Sequence, residues 1–178
     1  MRAHELHSIT DLVTKESASF VPVDDARAYL AKGNPTRLAD ILDELFPAQK
    51  PPVYDTIVLK KYVAVFCILF EMGKGTSICD FVIYDLNDQK LPFDPGYEPP
   101  SGFPPGTGAG DFYELFCKTQ WRFCVPIFEK NMARFFPINQ ILPIASIEKI
   151  GDRESGAMIQ AIRLHSSYNH LAGRTSIV

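Results

Sequence analysis

The stretch that most limits what this chain can fold into runs from Tyr54 to Met72. Its apolar residues Ile57, Val58, Leu59, Tyr62, Val63, Val65, Phe66, Cys67, Leu69 and Phe70 follow so closely that they cover most of a helix's circumference. Val, Ile and Phe also favour strands, but the stretch carries no turn signal and is long, which predicts one continuous helix. A helix without a polar face has no side to turn to water. The rest of the chain must therefore surround it, and Gly73 and Gly75 close it.

The flanking sequence supplies the cover. Residues 1–22 are polar and mixed, an arm whose Phe20-Val21-Pro22 docks as the fold begins. Asp24 and Asp25 put acidic charge at the start of a short helix, Ala26 to Ala31, with Gly33 just past its end. Asn34 is placed to cap, and Pro35 to open, a helix from Pro35 to Leu45, in which Leu38, Ile41, Leu42 and Leu45 recur at three- and four-residue steps. Thr76 or Ser77 caps a further short helix reaching Tyr84, Asn87-Asp88 makes a turn, and Leu91-Pro92-Phe93 anchors the chain.

The segment 92–110 is so rich in proline and glycine that no helix or central strand is expected in it, only a surface loop. Asp111 then caps a helix carrying Phe112, Leu115 and Phe116 on one face. Trp121, Phe123 and Val125 alternate, which predicts an extended segment from Gln120 to Phe128, followed by a helical turn within Glu129 to Phe135. Ile144 to Ile150 and Ala157 to Leu164 read as two strands of an antiparallel hairpin. The expected fold is α+β and mainly α: an arm over 1–22, one helical domain over 23–170 ending in that hairpin, and a tail over 171–178.

With 46% hydrophobic residues the 178-residue chain can bury a core. A net charge of −3 and a pI near 5.8 give no electrostatic footprint for nucleic acid or an anionic membrane. The charged first twenty residues hold no apolar block, so no secretory leader is expected, and the longest apolar run, Tyr62 to Phe70, is too short to span a bilayer. An intracellular protein is expected. Cys67, Cys79, Cys117 and Cys124 each lie in an apolar segment without a CxxC spacing, so they read as buried thiols. The His4-x-x-His7 pair, His165 and His170 lack neighbouring ligands at a zinc-like spacing, and no metal or other cofactor is expected.

Residues Gly151 to Gly156 form the one loop that could cradle phosphate, since glycines let backbone N–H groups approach closely. Arg153 stands where a middle glycine would be needed and Glu154 adds negative charge, so a plain hairpin turn is the reading. Acidic pairs such as Asp24-Asp25 sit on amphipathic helices as solvated charge. The segment Phe116 to Phe128 is expected in the core, with Trp121 packed against the Tyr54 to Met72 helix. The residues that could instead recognise a partner are Gln120, Trp121 and Phe123 of this segment and Pro104 and Pro105 of the loop, because proline-rich segments dock aromatic grooves.

The series Phe66-Cys67-Ile68-Leu69, Ile78-Cys79-Asp80-Phe81, Leu91-Pro92-Phe93, Gln120-Trp121-x-Phe123-x2-Pro126-x-Phe128 and Ile141-Leu142-Pro143-Ile144 resembles the non-catalytic region preceding the kinase domain in filamentous-fungal serine/threonine protein kinase-like proteins. In that family an ILPF element leads to a glycine loop and a V-x-I-H strand; Gly151, Gly156 and Arg163-Leu164-His165 look like degenerate versions of these. Ile144 replaces the family's Phe, the middle glycine is lost, and the sequence stops before the lysine strand. The resemblance implies a regulatory or protein-interaction module that transfers no phosphate and takes another protein as its partner. The competing expectation is a small fungal enzyme, of cyclase or isomerase type, working in an enclosed pocket without a linear motif.

Overall fold

The computed structural model describes residues 8–10, 17–48, 51–94, 96–104, 109–130, 132–137, 139–150 and 159–171. The fold is α+β and mainly α, with a small antiparallel hairpin towards the carboxyl terminus. Two compact units divide the chain, residues 21–124 and residues 1–20 with 125–178. The domain expected over 23–170 thus divides at Val125, and the hairpin clusters with the amino-terminal strands.

The helical unit holds α1 (Val23–Leu30), α2 (Arg37–Leu45), α3 (Asp55–Lys61), α4 (Val63–Glu71), α5 (Ile78–Ile83) and α6 (Ala109–Thr119). α4 is its centre: Val63, Ala64, Val65, Phe66, Ile68 and Leu69 are buried, and α1, α3, α5 and α6 all pack on it. It ends in a Schellman turn. Gly73, at φ +67, lets Lys74 N–H reach Leu69 O at 2.8 Å while its own N–H bonds Phe70 O at 3.0 Å, which satisfies carbonyls the helix end would otherwise leave open.

The single helix expected over Tyr54 to Met72 is two. Tyr62 leaves helical geometry at φ −132 and ψ 25, and α3 and α4 meet there. No glycine or proline breaks the chain at that point, so the cause lies elsewhere in the fold and is taken up below. The cap of α2 also differs from expectation. Thr36, not Asn34, holds the position, its hydroxyl oxygen accepting from Ala39 N at 3.1 Å and donating to Asp55 at the start of α3 at 2.6 Å. Asp111 falls inside α6 rather than at its cap, and α6 passes into a 3-10 turn, Gln120–Arg122, where an extended segment was expected. Within Glu129 to Phe135, where a helical turn was expected, the described residues form no helix and make one turn, in which Met132 N–H bonds Glu129 O at 3.3 Å.

In the other unit, β4 (Ile144–Ile150) and β5 (Ile159–Leu164) pair antiparallel from Ile144↔Leu164 to Ile150↔Ile159, with an irregularity between Ile144 and Ser146. β1 (Ser8–Thr10) pairs with β2 (Ser17–Ser19), and β3 (Phe128–Glu129) runs parallel to β6 (Asn169–His170). Phe20 is buried with Ile144 and Tyr168, its ring edge-on to those of His165 and Tyr168. The expected docking of the arm is thus made by Phe20.

Candidate partner-binding site

Five buried rings of the helical unit face a common space. Phe81 comes from α5, Phe93 from the chain beyond the 3-10 turn Asp88–Lys90, and Phe112, Tyr113 and Phe116 from α6, whose three- and four-residue spacing brings them to one face. Phe81 stacks on Phe116 at 5.2 Å, and Phe93 lies 5.6 Å from Phe116. Into this box the loop inserts Phe103, with ring centroids 4.9 Å from Tyr113, 5.3 Å from Phe81, 5.4 Å from Phe112 and 5.6 Å from Phe116. Three of these four contacts are edge-to-face, the arrangement that sets a positive ring edge on a negative face.

Gln120 fixes one wall. It is 0% exposed, and its amide pairs with a backbone as a strand would. Oε1 accepts from Phe93 N at 2.8 Å, while Nε2 donates to Phe93 O at 2.6 Å and to Cys117 O at 3.1 Å. Phe93 has no helix or sheet to satisfy its main chain, and buried backbone groups must be paired. Tyr113 donates its hydroxyl to Asp94 O at 3.1 Å, holding the next residue as well.

Of the residues expected to meet a partner, Gln120, Trp121, Phe123 and Pro104 are described, and all four are buried. Gln120 is engaged by Phe93, Phe123 belongs to the core around α4, and the turn carrying Trp121 packs on α4. The reading of Phe116 to Phe128 as core, with Trp121 against the apolar helix, agrees with this burial, and of these side chains Gln120 is the one bonded to a wall of the box. Pro105, Gly151 and Gly156 lie outside the described residues. Sequence reading missed Phe103 as the side chain that joins loop and aromatic segment. Its position between Gly102 and Pro104, an isolated ring in a segment that has no other reason to be apolar, was the available signal.

A second polar group of residues surrounds the break between α3 and α4. The Asp88 carboxylate faces the N–H groups of Val63, Ala64 and Val65 at the start of α4, accepting from Val65 at 3.0 Å, and the Arg27 guanidinium donates to Leu59 O near the end of α3. Each helix end thus receives charge of the sign its dipole favours. Tyr62 donates its hydroxyl to Asp85 Oδ1 at 3.1 Å, and Asn87 Nδ2 donates to the same oxygen at 2.9 Å.

Burial pushes the Asp88 carboxyl above the usual carboxylate range, against the opposing pull of these N–H groups and Arg27, and its Oδ2 has no hydrogen-bond partner among the described residues. The Asn87 and Tyr62 hydrogen bonds lower that of Asp85. Burial, with Asp85 adding to it, raises Tyr62 to about 12.

All four cysteines are free thiols. Burial pushes Cys67 and Cys124 up to about 12, with the Asp88 charge adding to both, and raises Cys79 and Cys117 as well. Because the thiolate is the nucleophile, thiols shifted this way are unreactive at neutral pH. Among the described residues no group of three or more His, Cys, Asp or Glu is placed to hold a metal ion, and no helix is long and apolar enough to cross a membrane.

Fold and site together define a mainly helical α+β protein with an aromatic box filled by its own loop. No family model, no curated protein and no solved structure matches the chain.

Proposed function

We propose that the chain is an intracellular regulatory or protein-interaction module, related to the amino-terminal region of fungal kinase-like proteins and without phosphotransfer of its own. The observation that carries this reading is an apolar pair at the end of α5. Ile83 is 72% exposed and Tyr84 53% exposed, and the Tyr84 ring rests on Gly102, where an added Cβ would come within 2.2 Å of it. Scattered exposed apolar residues are ordinary. A tyrosine already backed by main chain is different, because it presents apolar area and a hydroxyl while losing little side-chain freedom on binding.

The competing reading, an enzyme without a linear motif, draws on Asp88, a largely buried carboxylate with a raised proton affinity. Capping the start of α4 accounts for its position more directly. The test is affinity capture from a fungal lysate by the wild-type protein and by an Ile83→Asp, Tyr84→Ser double variant, with unfolding midpoints recorded for both. The module reading expects one specific protein held by the wild type and lost by a folded double variant. Identical captures would overturn the assignment of this surface.

A further inference from the structure

The segment Pro99-Pro100-Ser101-Gly102-Phe103-Pro104 sits on the helical unit much as a bound peptide would. Among the described residues the one backbone hydrogen bond of 98–104 is internal, Phe103 N to Pro100 O at 2.9 Å, closing a turn that passes through Gly102 at φ +83. The three prolines have no N–H to offer a neighbour. Side-chain packing therefore holds the segment: Phe103 in the aromatic box, Pro104 buried behind it, and Tyr84 against Gly102. The five wall rings are buried whereas Phe103 itself is half-buried, so the ring enters the box from the solvent side. The walls also have supports outside the segment: Gln120 holds Phe93, and α5 and α6 pack on α4.

We propose that this box is a recognition site for a phenylalanine flanked by prolines on a partner protein, and that Phe103 occupies it in the unbound chain until the partner displaces it. The seated segment indicates what the site accepts: a ring that five aromatic walls can surround, entering from a backbone that needs no hydrogen bonds from the receptor. Aromatic grooves take up extended proline-rich peptides for the same reason, because such peptides have little conformational freedom to lose. An occupant already tethered to the chain lowers the apparent affinity for a free peptide in proportion to the fraction of time the box is open. Occupancy by Phe103 thus sets a threshold that a weak ligand fails to cross. The proposal rests on the reading of this protein as an interaction module.

The test uses the synthetic hexapeptide Pro-Pro-Ser-Gly-Phe-Pro, the same peptide with alanine in place of phenylalanine, and the whole protein as wild type and as Phe103→Ala. Titration calorimetry is expected to show the phenylalanine peptide binding Phe103→Ala at least tenfold more tightly than wild type, with no binding of the alanine peptide. Equal affinity for the two peptides, or for the two proteins, would overturn the proposal. So would a wild-type dimer in light scattering that Phe103→Ala abolishes, since the occupant would then be the segment of a second copy.

Should Phe103→Ala fail to fold, hydrogen exchange of the Phe103 amide in the wild type decides. Exchange by local opening, well before that of Leu69 in α4, supports a box that can be vacated. Exchange only at the rate of Leu69 refutes it. Peptide failure combined with capture that depends on Ile83 and Tyr84 removes this site alone, whereas loss of both removes the module reading too.

Discussion

Replacing Gln120 with alanine should damage this fold more than most polar-to-alanine changes do. The side chain is fully buried and serves both main-chain groups of Phe93 as well as Cys117 O. Truncation leaves the Phe93 N–H and C=O buried without partners, and each such orphaned group costs about 1–3 kcal/mol. The two together give about 2–6 kcal/mol, before any contribution from the cavity. A domain of this size has about 5–15 kcal/mol in total, so the variant should lose a large share of its stability.

The measurement is urea unfolding followed by Trp121 fluorescence and far-ultraviolet dichroism, with Gln120→Leu beside Gln120→Ala. Leucine refills the space but makes none of the three hydrogen bonds. If pairing of Phe93 is what matters, Leu recovers only a minor part of the loss. A cost for Gln120→Ala within about 0.5 kcal/mol, the range of an ordinary surface change, would refute the reasoning. Near-complete recovery by Leu would assign the role to volume instead.

Three further outcomes follow from the same structure. Asp88→Ala removes the carboxylate that caps α4, a loss of about 1 kcal/mol on the usual scale of caps, partly offset by relief of the buried charge; the amides of Val63 to Val65 should exchange faster, and unchanged exchange there would contradict the capping role. Gly102→Ala places a Cβ 2.2 Å from the Tyr84 ring at a φ of +83, so a cost of about 1–3 kcal/mol and a shifted Tyr84 ring resonance are expected, and a neutral variant would show that the two do not touch. Stability should fall as pH rises from about 9 towards 12, by up to about 1.4 kcal/mol per pH unit for each of Cys67 and Cys124. The sign follows because the folded chain keeps protons on these thiols, and on Tyr62 and Tyr113, at pH values where the unfolded chain has released them. A urea midpoint that stays level or rises between about pH 8.5 and 10.5 would reverse that sign.

Local signals carried much of the fold. The dense apolar run marked α4 as the buried centre, the periodicity of Leu38, Ile41, Leu42 and Leu45 located α2, and two apolar-rich runs either side of the polar loop 151–156 located β4 and β5 with their pairing. What escaped was set by residues distant in sequence. The break at Tyr62 has no local cause; it coincides with Asp88, 23 residues beyond Val65, capping α4, and Arg27, 32 residues before Leu59, capping α3. The cap at Thr36 lies two residues from the one expected at Asn34, a choice settled by the partner Asp55 across the packing interface.

The aromatic segment reads as core and is interior, but the partner of its polar member was not legible. Gln120 looked like a group for contacting another molecule because nothing nearby in sequence requires a buried amide. Its true partner, the unpaired backbone of Phe93, is 27 residues away. Phe103 escaped for the opposite reason, since a proline- and glycine-rich composition correctly indicates a loop but does not reveal that one ring of that loop returns to the interior.

The functional account is tested most directly by the thermal unfolding midpoint of the whole protein, recorded with the captured partner protein and, separately, with millimolar Mg-ATP. A ligand bound to the folded chain at a hundred times its dissociation constant stabilises it by about 2.7 kcal/mol, enough to move the midpoint by several degrees. The account predicts that rise with the partner and an unchanged midpoint with nucleotide. A rise of several degrees with Mg-ATP and none with the partner would contradict it.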